Sequence, residues 1–167
     1  MKPALLLSDF PPTKTYLFLK ENYNQKLLQN ATDKAGSQSL LARQMCPHFS
    51  SLKIKQATIS MRSASNFLRL DIIQWLINYT HISLNIDSSI FQLKGETTSR
   101  PIQNPSFPIL FTPEFAALLA NLYCDGHSND QNSRTTEYYN QSPILISQFN
   151  RNILNIFGNM AIYSRYS

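Results

Sequence analysis

The sequence predicts an α+β chain in two parts: an all-helical, basic unit over residues 1–94 and an α+β unit over residues 112–167. Three observations predict it. Apolar residues recur at helical spacing through most of the first part. Pro101, Pro105 and Pro108 then punctuate a polar stretch, which reads as a semi-rigid linker over residues 95–111. After it, helix signals flank one strand-like run, with an Asp-Gly pair at Asp125-Gly126 between them.

Each element has its own reason. Pro12 to Asn30 reads as a helix with Tyr16, Leu19, Tyr23 and Leu27 on one face, broken by Asn30 to Gly36. Ser37 is a good N-cap for a short helix, Gln38 to Cys46, which Pro47 stops. The polar stretch Ser50 to Lys55 leads to a second short helix, Gln56 to Arg62. Asn66 caps a further helix carrying Leu68, Ile72, Trp75, Leu76 and Tyr79, in which Trp75 reads as a core anchor and not as a base-stacking platform. Asp87 to Leu93 reads as one more short helix, with Asp87 as N-cap and Gly95 at its end. Thr112-Pro113-Glu114 restarts a helix with a cap, a proline at N1 and an acid in the first turn. Arg134 to Asn140 is strand-like, and Ser142-Pro143 opens a helix that closes at Phe157-Gly158.

Composition narrows the classes. A hydrophobic content of 43% over 167 residues supports a core and excludes a disordered chain. No apolar run approaches the length of a membrane span, and Met1 to Phe10 is too short for a signal-peptide core. Cys46 and Cys124 make neither a disulfide framework nor a Cys/His metal pattern, so a reducing, cytoplasmic setting is expected. The net charge of +5 is lopsided: residues 1–94 hold eleven Lys and Arg against five acids, and residues 95–167 hold four Arg against five acids. Six basic residues and no acid lie between Lys34 and Arg69. Such a stretch suits a polyanion, because each neutralised phosphate releases counterions; the plainer reading is a solvated basic face.

The most informative segment is Phe115 to Asp125 followed by Gly126-His127, FAALLANLYCD-GH. Ala116, Ala120 and Cys124 fall at i, i+4 and i+8, one stripe of small side chains along which another helix can approach closely. Asp125 stands at the negative end of the helix dipole, where a cation is preferred. The last carbonyls of the helix, Cys124 among them, lack intrahelical partners there, so carboxylate and carbonyl together offer an oxygen-only site suited to Mg²⁺ or Ca²⁺. Asp-Gly is also a tight-turn dipeptide, and an alanine-rich amphipathic helix also serves plain core packing.

Residues 118–126, Leu-Leu-Ala-Asn-Leu-Tyr-Cys-Asp-Gly, resemble the LAGLIDADG motif of homing endonucleases, in the archaeal-type form that continues as Asp-Gly-His. The third and seventh places and the terminal Asp-Gly match, while Asn121 and Tyr123 depart from the usual letters. The resemblance covers about Thr112 to Tyr166 and implies an αββαββα pattern, two such helices packed together, and an acid from each holding a divalent metal over DNA. It implies Asp125 as the catalytic and metal-binding acid with the Cys124 backbone carbonyl, Ala116, Ala120 and Cys124 as the helix–helix interface, and Mg²⁺ as cofactor. Arg134, Thr135, Glu137 and Tyr139 would face DNA from a strand. The third strand of that pattern falls at the end of the chain, so a partial, truncated domain is expected, with no lysine after Lys94 and Arg134 and Arg165 as the nearby basic groups. His127 reads as strand or loop structure.

In the first part, Ser-Leu-Leu-Ala-Arg-Gln-Met followed by Ala-Thr-Ile-Ser-Met-Arg resembles a helix-turn-helix with a long connection. Lys53, Lys55, Gln56, Ser60, Arg62 and Arg69 are its candidate DNA contacts. Together these readings imply a site-specific DNA endonuclease acting on double-stranded DNA as a homodimer or with a complementing chain. The alternative is a non-catalytic helix-turn-helix regulator in which Asp125 merely ends a helix.

Overall fold

Tyr16-Leu17-Phe18-Leu19 is a β-strand, and the N-terminal half of the chain is organised around it. The computed structural model describes residues 3–49, 67–95, 101–128, 136–158 and 162. In chain order its elements are β1 (Ala4–Leu5), β2 (Tyr16–Leu19), α1 (Tyr23–Ala35), α2 (Gln38–Met45), β3 (Leu68–Arg69), α3 (Leu70–Thr80), α4 (Ile86–Ser89), β4 (Ile90–Lys94), β5 (Ile102–Gln103), β6 (Ile109–Leu110), α5 (Pro113–Asp125), β7 (Gly126–Ser128), β8 (Thr136–Tyr138) and α6 (Pro143–Phe157). The class is α+β, as the sequence predicts, but the helices and strands are distributed differently.

Residues 1–94 are not all-helical. They contribute β2, β3 and β4 to a four-stranded antiparallel sheet of order β3-β2-β4-β5. The helix expected from Pro12 to Asn30 is therefore a strand in its first half. Leu17 and Leu19 are fully buried while Tyr16 and Phe18 are half-buried, a period of two that pairing on both edges selects over the helical spacing. The chain turns over Lys20–Asn22, with Glu21 and Asn22 at positive φ, and only then enters α1. The break expected from Asn30 falls later. α1 runs on to Ala35 because Leu27, Leu28 and Ala31 keep its buried stripe, and Gly36 at φ 87° ends it.

Further corrections follow from the same sheet. Leu68 belongs to β3, so the next helix starts at Leu70, two residues beyond the expected first apolar position. The helix expected over Asp87 to Leu93 is a single turn capped by Asn85, after which Ile90–Lys94 pairs with β2. Residues 95–111, expected as a linker, supply β5, which pairs with β4, and β6, which pairs with β1. Short apolar runs of this kind carry no periodicity that separates strand from helix, and strand pairing decides. The expected Gln56–Arg62 helix and its Asn66 successor cap lie outside the described residues.

Other elements form as read. Ser37 Oγ accepts the Leu40 amide and α2 ends before Cys46. Thr112 caps α5 with Pro113 at N1, and Ser142 caps α6, which closes at Gly158. A hydrogen bond from the Thr112 hydroxyl, and then the Glu114 backbone amide, hold the exposed Glu114 carboxylate below its ordinary range. A depressed acid pKa means this contact is complete at neutral pH and fades as the pH falls through that lowered value.

The core lies between the sheet and its helices. Leu17, Leu19, Leu68, Ile90 and Leu93 of the strands meet Leu27, Leu28 and Ala31 of α1, Leu41, Ala42 and Met45 of α2, and Ile72, Ile73 and Leu76 of α3. Within it sits one buried amide. Asn24 Nδ2 donates to the Leu17 carbonyl at 3.1 Å and its Oδ1 accepts the Leu19 amide at 3.3 Å, bracketing the shift of β2–β4 register between Phe18 and Leu19. In the C-terminal half, α5 packs on α6 through Phe115 and Phe157, 6.4 Å between rings, and Tyr138 of β8 stacks on Phe149 at 4.2 Å. Gly158, at φ 85°, closes α6 against β5: a Cβ there would stand 2.7 Å from the Gln103 carbonyl oxygen.

Replacing Asn24 by leucine leaves two buried backbone groups without partners at roughly 1–3 kcal/mol each. Asn24→Leu is expected to destabilise the protein by about 2–6 kcal/mol in urea unfolding; a loss below about 0.5 kcal/mol, the range of surface substitutions, would show that the amide does not hold β2.

Candidate metal and nucleic-acid site

The helix that ends in Asp125 passes into a strand without a loop. α5 stops at Asp125, and Gly126 is already the first residue of β7, with φ −84° and ψ 149°. A Cβ on Gly126 would lie 2.1 Å from the Leu122 carbonyl oxygen. Glycine is thus required by close approach to the last helical turn, and its φ is one that any residue adopts. β7 pairs with β8 in the register Gly126↔Tyr138, His127↔Glu137 and Ser128↔Thr136. The hairpin brings the far end of β8 back to the end of the helix.

Asp125 is held at that junction. Its carbonyl accepts the Tyr139 amide at 3.2 Å, and its carboxylate Oδ2 accepts Asn140 Nδ2 at 3.2 Å. The residue is exposed, and the last turn of α5 contains no basic side chain to offset the dipole. Asn140 is the member of this site that the sequence reading missed, because nothing local marks an asparagine after a strand as the partner of an acid fifteen residues earlier.

Glu137 and Tyr139 lie two apart on and just beyond β8, on one side of the strand, and the Tyr139 hydroxyl donates to the Glu137 carboxylate. Arg134 and Thr135 lie outside the described residues, as do Lys53, Lys55, Gln56, Ser60 and Arg62. Arg69 is described and is engaged: its Nε donates to Asp71 at 3.0 Å, and that hydrogen bond raises its pKa. Ala116, Ala120 and Cys124 are all exposed, whereas Phe115 and Leu118 of the same helix are buried against the rest of the chain. The small-residue stripe is therefore outward-facing.

No family model, curated protein or solved structure matches this chain. Among the described residues no three His, Cys, Asp or Glu side chains group as a metal site, and no helix is long and apolar enough to cross a membrane. What this chain offers a hard cation at the α5 terminus is the Asp125 carboxylate; Asn140 turns its Nδ2 to that acid, while its Oδ1 accepts the Ser142 amide at 2.8 Å. A carboxylate suits Mg²⁺ or Ca²⁺ by donor type, and each chain supplies one here.

Gly126→Ala is expected to destabilise the C-terminal half by roughly 2–4 kcal/mol, since the added methyl meets backbone that cannot rotate away. A thermal melt checks it, and a variant as stable as the parent would mean that the helix-to-strand passage is not so tight.

Proposed function

We propose that the chain is a DNA-binding protein of the LAGLIDADG homing-endonuclease type, a metal-assisted phosphodiesterase that acts on double-stranded DNA as a homodimer or with a complementing chain. The observation that carries the reading is the end of α5: an exposed acid at the helix C-terminus, next to an outward-facing stripe of Ala116, Ala120 and Cys124, followed by a hairpin and a second helix. That helix–strand–strand–helix order is what the resemblance implies for residues 112–158.

In this reading a second copy of the stripe packs against the first, so that two Asp125 carboxylates converge from one single-acid chain. Asn140 orients each carboxylate by its 3.2 Å hydrogen bond. A divalent cation bound there supplies charge stabilisation at the phosphate and a more acidic water. Arg134 and Thr135, with Glu137 and Tyr139, are the residues proposed to meet DNA, and residues 34–69 supply the basic charge that attracts it.

The lopsided charge also supports a second reading, a non-catalytic DNA-binding regulator with a helix-turn-helix over Gln38 to Arg62. The two separate cleanly. Binding that persists in EDTA and ignores Asp125→Ala favours the regulator, whereas Mg²⁺-dependent cleavage lost in Asp125→Ala favours the nuclease. Binding that does not weaken as salt rises would remove the phosphate-contact argument from both.

Asp125→Asn removes a charge that opposes the helix dipole, an effect within about 1 kcal/mol. Without metal the variant should melt at or slightly above the parent, and it should lose any stabilisation by Mg²⁺. A large loss of stability without metal would make Asp125 a structural cap. Ala120→Leu, on an outward face, should leave the monomer's stability unchanged and abolish dimerisation in analytical ultracentrifugation; an unaltered dimer would place the interface elsewhere.

A further inference from the structure

The four-stranded sheet has two faces, and its register assigns every side chain to one of them. Cross-strand partners share a face. Leu68–Leu17–Leu93 and Leu19–Ile90 point into the core, each residue no more than 6% exposed. Arg69–Tyr16–Lys94 and Phe18–Gln92–Gln103 form the rows of the opposite face. Gln92 Nε2 donates to Gln103 Oε1 across the strands at 2.8 Å.

An aromatic track crosses that face. Phe91 is the extra residue at the β2–β4 irregularity, between the Leu19↔Ile90 and Phe18↔Gln92 pairs, and a bulge of this sort re-aims a side chain. Its ring lies 6.1 Å from Phe18, which lies 6.1 Å from Phe67, just before β3. Phe91 is 37% exposed, and neither it nor Tyr16, Phe18 or Phe67 belongs to the hydrophobic core. Lys94 Nζ stands 4.4 Å from the Phe67 ring centre and 6.0 Å from that of Tyr16. Strands β2 to β5 carry two basic residues: Arg69, which is ion-paired with Asp71 at the start of α3, and Lys94.

We propose that this face binds single-stranded nucleic acid, with bases stacking on Phe67, Phe18 and Phe91 and Lys94 meeting the phosphate backbone. Aromatic rings spaced beside a lysine are what unpaired bases require, since every base has a π-face and every linkage a negative charge. A duplex hides its base faces and cannot use the track. The inference does not rest on the duplex-cleaving reading: it concerns a different sheet, and its failure leaves Asp125 untouched.

The test is fluorescence anisotropy of a labelled short oligothymidylate with the full chain, in EDTA. Phe91 is bulged and outside the core, so its truncation spares the fold, which a thermal melt verifies. Phe91→Ala is expected to weaken binding roughly ten-fold, Phe91→Trp to retain it, and Phe91→Leu, which keeps apolar bulk without a ring, to weaken it as alanine does. Lys94→Gln should reduce the slope of log affinity against log salt by about 0.7. Three results would each overturn the proposal: no binding at low salt, parent-like affinity in Phe91→Leu (a surface for an apolar protein partner), or equal competition by unlabelled duplex.

Discussion

Strand β2 is the constraint on which the N-terminal half depends. It is the strand paired on one edge with β3 and on the other with β4, and it contributes the two fully buried leucines on which α1, α2 and α3 rest. An internal strand with a register shift needs its displaced backbone groups satisfied away from water. Asn24, at the first turn of α1, does this with both ends of one amide. The same contact fixes where the helix must start relative to the strand, so sheet and helix layer are set by a single buried side chain.

From that sheet the rest of the chain is tied on by backbone. β1 pairs with β6, which leads through Phe111, stacked on Phe115 at 5.0 Å, into α5. Gly158 returns the end of α6 to β5, where a side chain would collide with carbonyl oxygens. The two ends of the α5–β7–β8–α6 unit are thereby anchored near the sheet edge. Asp125 stands away from both anchors, at the point where a loopless helix-to-strand passage leaves a carboxylate in solvent.

Charge divides the molecule unevenly. The basic residues concentrate before residue 95, and the sheet's outer face presents Lys94 among phenylalanines, whereas the C-terminal half offers Asp125 and an outward small-residue stripe. Arg69 illustrates why position matters more than residue type: expected to reach DNA, it is committed to Asp71 at the start of α3.

Helices whose signals are local follow from the residues alone. Ser37, Thr112 and Ser142 cap α2, α5 and α6 within three residues of their own positions, and the Asp125-Gly126 boundary falls where the residues place it. Caps and stops act over one turn, so they are legible in one dimension. Strands β2, β4, β5 and β6 were decided by the tertiary structure. Each is two to five residues long and is held by its pairing with another strand, which for β2 and β6 lies far along the sequence, as with Leu17 between Leu68 and Leu93. The expected helix over Pro12 to Asn30 had plausible spacing and lost to hydrogen bonds that no local pattern encodes. The candidate acid was legible for the same reason as the caps, whereas its partner Asn140 required the hairpin to bring two distant ends together.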